Sequence, residues 1–157
     1  MEGRVMVQRY VPDLTRFAAV CEANYHRLGH LERLGPDADS DVFFRLRDGS
    51  RHLGDVHLCR LEKARFTETW YLEQVANNGR WLNDPRMTVR AYHDVGMLEV
   101  MSCFRHGRIR AVNPYPNARM HLPDEKLQIN LFLADWLDFC LRFGQAADLD
   151  SVWSLES

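Results

Sequence analysis

The stretch of sequence that decides the fold is MTVRAYHDVGMLEV, residues 87–100. Apolar and polar residues alternate on both sides of Asp94-Val95-Gly96, which is the pattern of two β-strands joined by a tight turn. Aspartate suits the first position of a type I turn, and glycine supplies the left-handed residue that follows it. The stretch therefore predicts a β-hairpin with a three-residue loop.

This loop length fixes which residues face each other across the hairpin. His93 faces Met97, and Ala91 faces Glu99. One face of the sheet then carries Met87, Val89, Ala91, His93, Met97, Glu99, Met101 and Cys103. On this mostly apolar face His93 and Glu99 are diagonal neighbours, and a carboxylate there needs a partner. The two residues are therefore candidates for an acid–base couple.

Polar residues near the hairpin tip are candidates for ligand binding. Arg90 can hold an anion through its planar guanidinium, with Tyr92 on the same face and Asp94 at the tip. A structural interpretation is favoured for these residues, because turn chemistry explains Asp94 and because His93 and Glu99 can simply brace the hairpin. Structural support, ligand binding and catalysis are all compatible with these residues.

The segments around the hairpin predict a sheet with short connections. Strands are expected at Asp41–Arg47, Leu53–Glu62, Phe66–Val75, Met87–His93, Met97–Arg105 and, as a short sixth, Arg108–Val112. Gly54 is expected to mark a β-bulge. Short links between consecutive strands favour an antiparallel meander.

Two amphipathic segments predict helices, from about Asp13 to Leu34 and from Pro123 to Phe143. Gly144 is the natural stop of the second helix. The order of elements predicts an α+β fold, an antiparallel five- to six-stranded meander flanked by an N-terminal and a C-terminal helix. We expect a single domain over residues 1–157, with a core at about 9–144 and an acidic tail at 145–157.

The second helix carries another set of candidates. Lys126 and Asn130 lie one turn apart on its otherwise apolar side, so both need polar partners. They can line a polar pocket or tie down the loop before the helix. That loop brings further polar side chains to the same helix end: Tyr115, Asn117, Arg119 and His121.

Composition and motifs exclude several classes of protein. No window reaches the roughly 18 apolar residues of a membrane span, and the first 13 residues lack the apolar run of a signal peptide, so we expect a cytoplasmic protein without membrane contact. The net charge of −2 gives no general attraction to nucleic acid. No phosphate-binding glycine motif or nucleophile elbow occurs, so no cofactor is expected.

Cysteine and histidine spacing predicts no metal site. The four cysteines form no C-x-x-C pair and are expected to be reduced. Glu22, His26 and His30 have a spacing that can bind metal, but Arg27 follows His26 where the metalloprotease motif has glutamate. We interpret these three residues as a solvated helix face.

Several segments together resemble a known family. They are RYVPDL (9–14), CEANY (21–25), MTVRAYHD (87–94) with MLEV (97–100), YPNARMH (115–121), and DEKLQINLFLADWL (124–137) with Gly144. The chain resembles the bacterial YqiB family from about Arg9 to Gly144. The resemblance implies a cytoplasmic domain of unknown function and carries over no catalytic residue.

These observations favour a non-catalytic module that binds a small polar or anionic ligand or a protein partner. The alternative is an acid/base enzyme that uses His93 and Glu99 on a phosphorylated or nucleotide-like molecule held by Arg90. A third hypothesis is a protein-interaction module that uses an exposed sheet edge or the aromatic third strand, Phe66–Val75, and such an edge can also form an oligomer.

Overall fold

The computed structural model describes residues 13–34, 41–77, 79–81, 84–105, 108–111 and 123–145. Helix α1 spans Leu14–Glu32 and helix α2 spans Pro123–Phe143. The strands are β1 (Asp41–Asp48), β2 (Arg51–Lys63), β3 (Thr67–Val75), β4 (Arg86–Tyr92), β5 (Met97–Arg105), β6 (Arg108–Ala111) and β7 (Gly144–Gln145). Within the described ranges, neither helix is long and apolar enough to cross a membrane.

The strands form one sheet in the order β6-β5-β4-β3-β2-β1-β7. All neighbouring strands are antiparallel, and β1 to β6 follow one another as a meander. The predicted α+β class, with a meander and two flanking helices, is confirmed. The sequence did not predict β7, in which the two residues directly after α2 pair with Arg45 and Leu46 of β1.

The core lies between one face of the sheet and the two helices. Burial alternates along β1 and β4, as expected for strands with one covered face. The covered face includes Phe44, Val56, Leu58, Leu72, Met87, Val89 and Val100, which cluster with Leu31, Leu133, Trp136, Leu137 and Cys140 of the helices. The opposite face carries half-buried polar side chains along β1 to β4, and we call it the polar face.

Gly54 marks a bulge in β2, as predicted. Leu46 pairs with Gly54 and Arg47 pairs with His52, so Leu53 is the extra residue. The backbone of Gly54 has φ +148°, and a Cβ there would lie 2.4 Å from Nε2 of Gln74. Glycine is therefore required by both the backbone conformation and the close approach of β3.

The predicted register of the β4–β5 hairpin is wrong near its tip. The turn contains four residues, 93–96, so Tyr92 pairs with Met97, and Arg90 rather than Ala91 faces Glu99. This shift of one residue places Leu98, which is fully buried, opposite Ala91. Opposite Ala91, the observed register buries Leu98, whereas the predicted register would bury the carboxylate of Glu99. Burial of a leucine is favourable and burial of a carboxylate is costly, so the observed register is the more stable one.

A second bulge restores the predicted pairing at the other end of the hairpin. Val89 pairs with Val100, but Thr88 pairs with Ser102, so Met101 is the extra residue. Met87 pairs with Cys103 in agreement with the prediction. The error is therefore confined to the residues between the bulge and the tip.

Candidate functional site

Two loops lie side by side at one end of the sheet, which we call the hairpin end. They are residues 64–66, between β2 and β3, and residues 93–96, between β4 and β5. Pairing of Thr67 with Tyr92 brings them together, and the His93 amide donates to the Phe66 carbonyl at 2.8 Å. Of the residues that the sequence singled out, the hairpin end contains His93 and Asp94, with Tyr92 directly before them, whereas Arg90 and Glu99 pair farther along β4 and β5.

His93 connects three elements at the hairpin end. Its Nδ1 lies 2.8 Å from the Tyr25 hydroxyl of α1, and its Nε2 lies 3.4 Å from a carboxylate oxygen of Glu68 on β3. A neutral ring satisfies both contacts when the Tyr25 hydroxyl donates to Nδ1 and Nε2–H donates to Glu68. Both ring nitrogens of His93 therefore have partners within the protein.

Glu68 is the centre of a charged cluster beside His93. Its Oε1 accepts a hydrogen bond from the indole of Trp70 at 3.1 Å and lies 3.9 Å from the Arg60 guanidinium. Burial, followed by the Glu68 charge, raises the pKa of the Glu32 carboxyl, while Arg60 and His93 act in the opposite direction. Two carboxylates, one guanidinium and one imidazole thus meet where α1 ends against the sheet.

Glu99 and His93 do not contact each other as the predicted couple. Glu99 accepts a hydrogen bond from Nζ of Lys126 at 2.8 Å, whereas His93 contacts Tyr25 and Glu68. The register shift explains this difference, because it places Glu99 opposite Arg90 instead of Ala91. The carboxylate neighbour of His93 is Glu68, which lies on β3, outside the β4–β5 hairpin.

Asn130 and Lys126 join helix α2 to strand β5. Asn130 is fully buried, and its Oδ1 accepts a hydrogen bond from the Val100 amide at 3.0 Å. Its Nδ2 donates to the Lys126 carbonyl at 2.8 Å, and its own carbonyl accepts from Asn24 of α1 at 3.0 Å. Both side chains have polar partners, as the sequence predicted: Glu99 and the Val100 amide on β5, and the Lys126 carbonyl on α2 itself.

The other candidates are dispersed. Arg90 is half-buried, and its Nε donates to the Thr69 hydroxyl at 3.3 Å. Tyr92 is half-buried at the end of β4, and Asp94 is exposed in the turn. Tyr115, Asn117, Arg119 and His121 lie outside the described residues.

Three large apolar side chains are exposed at the hairpin end. Leu61 is 57% exposed, Phe66 is 53% exposed and Val95 is 57% exposed. The Arg65 guanidinium lies 5.0 Å from the centre of the Phe66 ring. The signal for this patch in the sequence is Val95, an apolar residue between the aspartate and the glycine from which the tight turn is predicted.

One group of side chains in the described residues has the composition and spacing to hold a metal ion. It consists of Asp41, His57 and Cys59, whose ligand atoms all lie within 4.8 Å of one another. The spacing of residues in the sequence does not predict this group, because Asp41 lies on a different strand from the other two. None of the four cysteines forms a disulfide.

Comparison with known proteins places the chain in a family. A family model described as "Protein of unknown function (DUF1249)" matches residues 27–146. The chain belongs to the DUF1249 family. The Uncharacterized protein YqiB of Escherichia coli K12 is 36% identical over 141 residues, which cover 90% of this chain and 97% of that relative. The YqiB proteins of Escherichia coli O6:H1 and O157:H7 match to the same extent.

These matches confirm the resemblance to the YqiB family. No solved structure matches the chain. The names of the relatives specify no ligand, reaction or partner, so a functional interpretation depends on the geometry of this fold.

Proposed function

We propose that this chain is a non-catalytic module that binds a protein partner through its hairpin end. The observation that carries the proposal is the exposure of Leu61, Phe66 and Val95 on two adjacent hairpins. Apolar side chains surrounded by charged ones are the usual composition of a protein interface. Here the surrounding charged residues are Glu62, Lys63, Arg65 and Asp94, all of them exposed.

The shape of this region favours a protein over a small molecule. Sites for small molecules are concave, whereas Phe66 and Val95 lie on the turns of two hairpins and Leu61 lies near the end of β2. An exposed phenylalanine with an arginine over its ring supplies the aromatic and guanidinium groups that dominate binding energy at protein interfaces. Leu61 is the extra residue of a bulge between β2 and β3, because Arg60 pairs with Trp70 and Glu62 pairs with Thr69.

His93 has a positioning role in this proposal. Its amide holds the Phe66 carbonyl, and its ring links Tyr25 of α1 to Glu68 of β3. These contacts fix the two turns relative to each other, so the apolar side chains are presented without a large loss of entropy on binding. Because both ring nitrogens are engaged within the protein, the contacts favour this role over proton transfer to a substrate.

A small polar ligand is the second candidate, supported by the Glu32–Glu68 pair. A carboxyl whose pKa is raised by burial and a second carboxylate is a typical feature of binding sites. A ligand amine between the two carboxylates would relieve their repulsion. A thermal-shift screen against amines, nucleotides and sugar phosphates, repeated on Glu68→Gln, tests this candidate separately from the protein partner.

Site-specific photo-crosslinking in the native host tests the proposal. A photoreactive amino acid is placed at Phe66 or Val95 in the full chain, and the control position is Asp48, an exposed residue at the opposite end of β1. We expect discrete adducts from positions 66 and 95 and none of the same mass from position 48. The same adducts from all three positions would contradict a specific surface.

A paired variant completes the test. Leu61→Ser combined with Val95→Ser should abolish the adduct formed at position 66 without altering the melting temperature, because both residues are exposed. Leu14→Ser is the matched control, since Leu14 is 68% exposed but belongs to the first turn of α1. Adducts that survive the paired variant would overturn the proposal.

A further inference from the structure

The polar face places three potential metal ligands together through strand pairing. Asp41 of β1 pairs directly with Cys59 of β2, and His57 lies two residues before Cys59 on the same strand. Side chains two apart on a strand share a face, and diagonal cross-strand neighbours are within reach of each other. Carboxylate, imidazole and thiol therefore converge without any loop rearrangement.

The distances fit a single small cation. Nε2 of His57 lies 2.8 Å from Oδ1 of Asp41, and all three ligand atoms lie within 4.8 Å of one another. Zinc bonds of about 2.0 Å to nitrogen or oxygen and 2.3 Å to sulfur place tetrahedral ligands roughly 3.3–3.6 Å apart. Small side-chain rotations would move Nε2 of His57 and Oδ1 of Asp41 slightly apart and would bring Sγ of Cys59 closer to both.

The surroundings of His57 resemble the support that a metal-bound histidine receives. Its Nδ1 lies 3.4 Å from a carboxylate oxygen of Glu73, whose other oxygen accepts from the Tyr71 hydroxyl at 3.3 Å. Ligating histidines nearly always donate their second N–H to such a carboxylate or carbonyl. Phe43 stacks on the ring with a centroid distance of 4.3 Å and an interplanar angle of 5°, which restricts its orientation.

The two carboxylates beside the His57 ring add electrostatic support for a cation. Nε2 lies 2.8 Å from Asp41 and Nδ1 lies 3.4 Å from Glu73, so a neutral ring can donate to only one of these carboxylates. With a cation between Nε2 and Asp41, Nδ1–H can donate to Glu73, and the cation compensates the negative charge of both carboxylates.

Cys59 completes the ligand set and limits the choice of metal. Its thiol is hydrogen-bonded to Asp41, and burial, followed by the charge of Asp41, raises its pKa. A divalent cation reverses that effect, because it stabilises the thiolate and neutralises Asp41. A set of one nitrogen, one sulfur and one oxygen suits Zn²⁺, and three protein ligands leave a fourth position for water.

We propose that Asp41, His57 and Cys59 form a binding site for one Zn²⁺ ion on the polar face, with Glu73 as the supporting carboxylate. The site begins two residues before Leu61 on β2, but it uses none of the residues of the proposed protein interface and does not depend on that interface. Binding converts the Cys59 thiol to a thiolate and releases its proton to the solvent. The affinity should therefore rise with pH.

Metal titration of the chelator-treated full chain, kept reduced, tests this site. We expect one equivalent of Zn²⁺ to bind in a calorimetric titration, and one equivalent of Co²⁺ to give a thiolate-to-cobalt charge-transfer absorption. Cys59→Ser should abolish that absorption. Glu73→Gln should retain it and weaken Zn²⁺ binding about 10- to 100-fold, which is the usual effect of losing a supporting carboxylate.

A matched control is present on the same strand. His52 also contacts a carboxylate, with Nε2 2.9 Å from Oδ1 of Asp55, but this pair has no cysteine in its group. His52→Gln should leave Zn²⁺ binding unchanged, whereas His57→Gln should weaken it more than Glu73→Gln does. The absence of stoichiometric binding, or binding that Cys59→Ser and His57→Gln leave intact in folded protein, would overturn the proposal.

Discussion

Replacement of Asn130 by alanine should destabilise the protein strongly, although Asn130 is a polar residue that the sequence made a candidate for ligand binding. The side chain is fully buried and accepts the hydrogen bond of the Val100 amide at 3.0 Å. A buried amide without a partner costs about 1–3 kcal/mol. The void left by three heavy atoms adds about 1 kcal/mol.

The expected loss for Asn130→Ala is therefore about 2–4 kcal/mol in the free energy of unfolding. A chain of 157 residues has an unfolding entropy of about 0.33 kcal/mol/K, from roughly 2.1 cal/mol/K per residue. The melting temperature should fall by about 6–12 °C. Differential scanning calorimetry and urea unfolding measure both quantities.

The control is Gln128→Ala, because Gln128 is exposed on the same helix. Its effect should stay within about 0.5 kcal/mol. An Asn130→Ala variant as stable as Gln128→Ala would refute the reasoning, since it would mean that the Val100 amide does not depend on this side chain. A large loss supports a structural role and removes Asn130 from the set of ligand candidates.

Three further predictions follow from the backbone and the titratable groups. Gly54→Ala should lower the free energy of unfolding, measured in urea, by about 2–4 kcal/mol, because φ of Gly54 is +148° and the new Cβ would meet a buried glutamine. Gly29→Ala should instead stabilise α1 by up to about 1 kcal/mol, because no atom lies within 4 Å of the new Cβ. Burial raises the pKa of Glu32 in the folded state. The protonated carboxyl therefore favours the folded state below the unfolded pKa, and this contribution to the free energy of unfolding is lost as the pH rises through the folded pKa and the buried carboxyl ionises. Glu32→Gln should thus raise the melting temperature at pH 7 and change it little at pH 4, and equal shifts at both pH values would contradict this. Burial raises the pKa of the Cys21 thiol to about 12, so iodoacetamide at pH 8 should leave Cys21 unmodified in native protein and label the half-exposed Cys59 faster, as peptide mass spectrometry would show.

Local patterns in the sequence were sufficient to predict the elements. The bounds of β5 and α2 agree with the prediction, and the bulge at Gly54 was recognised from a glycine within a strand. These features depend on residues close together in the chain. Turn chemistry and periodicity report such short-range preferences well.

The register near the hairpin tip could not be predicted in the same way. Asp94 and Gly96 are compatible with both a three-residue and a four-residue turn, and the choice depends on what Leu98 packs against. Leu98 is fully buried within the core, which is a long-range effect. A shift of one residue moves Glu99 away from the predicted position and leaves His93 with a different carboxylate.

The polar clusters were missed for a related reason. Glu68 and His93 lie on different hairpins, and Asp41 lies on a different strand from His57 and Cys59. Such groups become visible only after the strand pairing is known, because no motif with a fixed spacing connects them. Lys126 and Asn130 were recognised as needing partners, but the partners themselves are distant in the chain.

The order of elements has a consequence for the timing of synthesis. The sheet is translated before α2, although Leu133, Trp136 and Leu137 of that helix fill the core against it. At about 5–20 residues per second, the interval between the end of β6 and the end of α2 lasts roughly 2–6 s. During those seconds α1 can already pack against the sheet, but the part of the apolar face that α2 covers is exposed. The nascent chain therefore passes through a period in which chaperone binding or aggregation competes with folding, and destabilising α2 would be expected to lower soluble yield more than the loss of equilibrium stability alone implies.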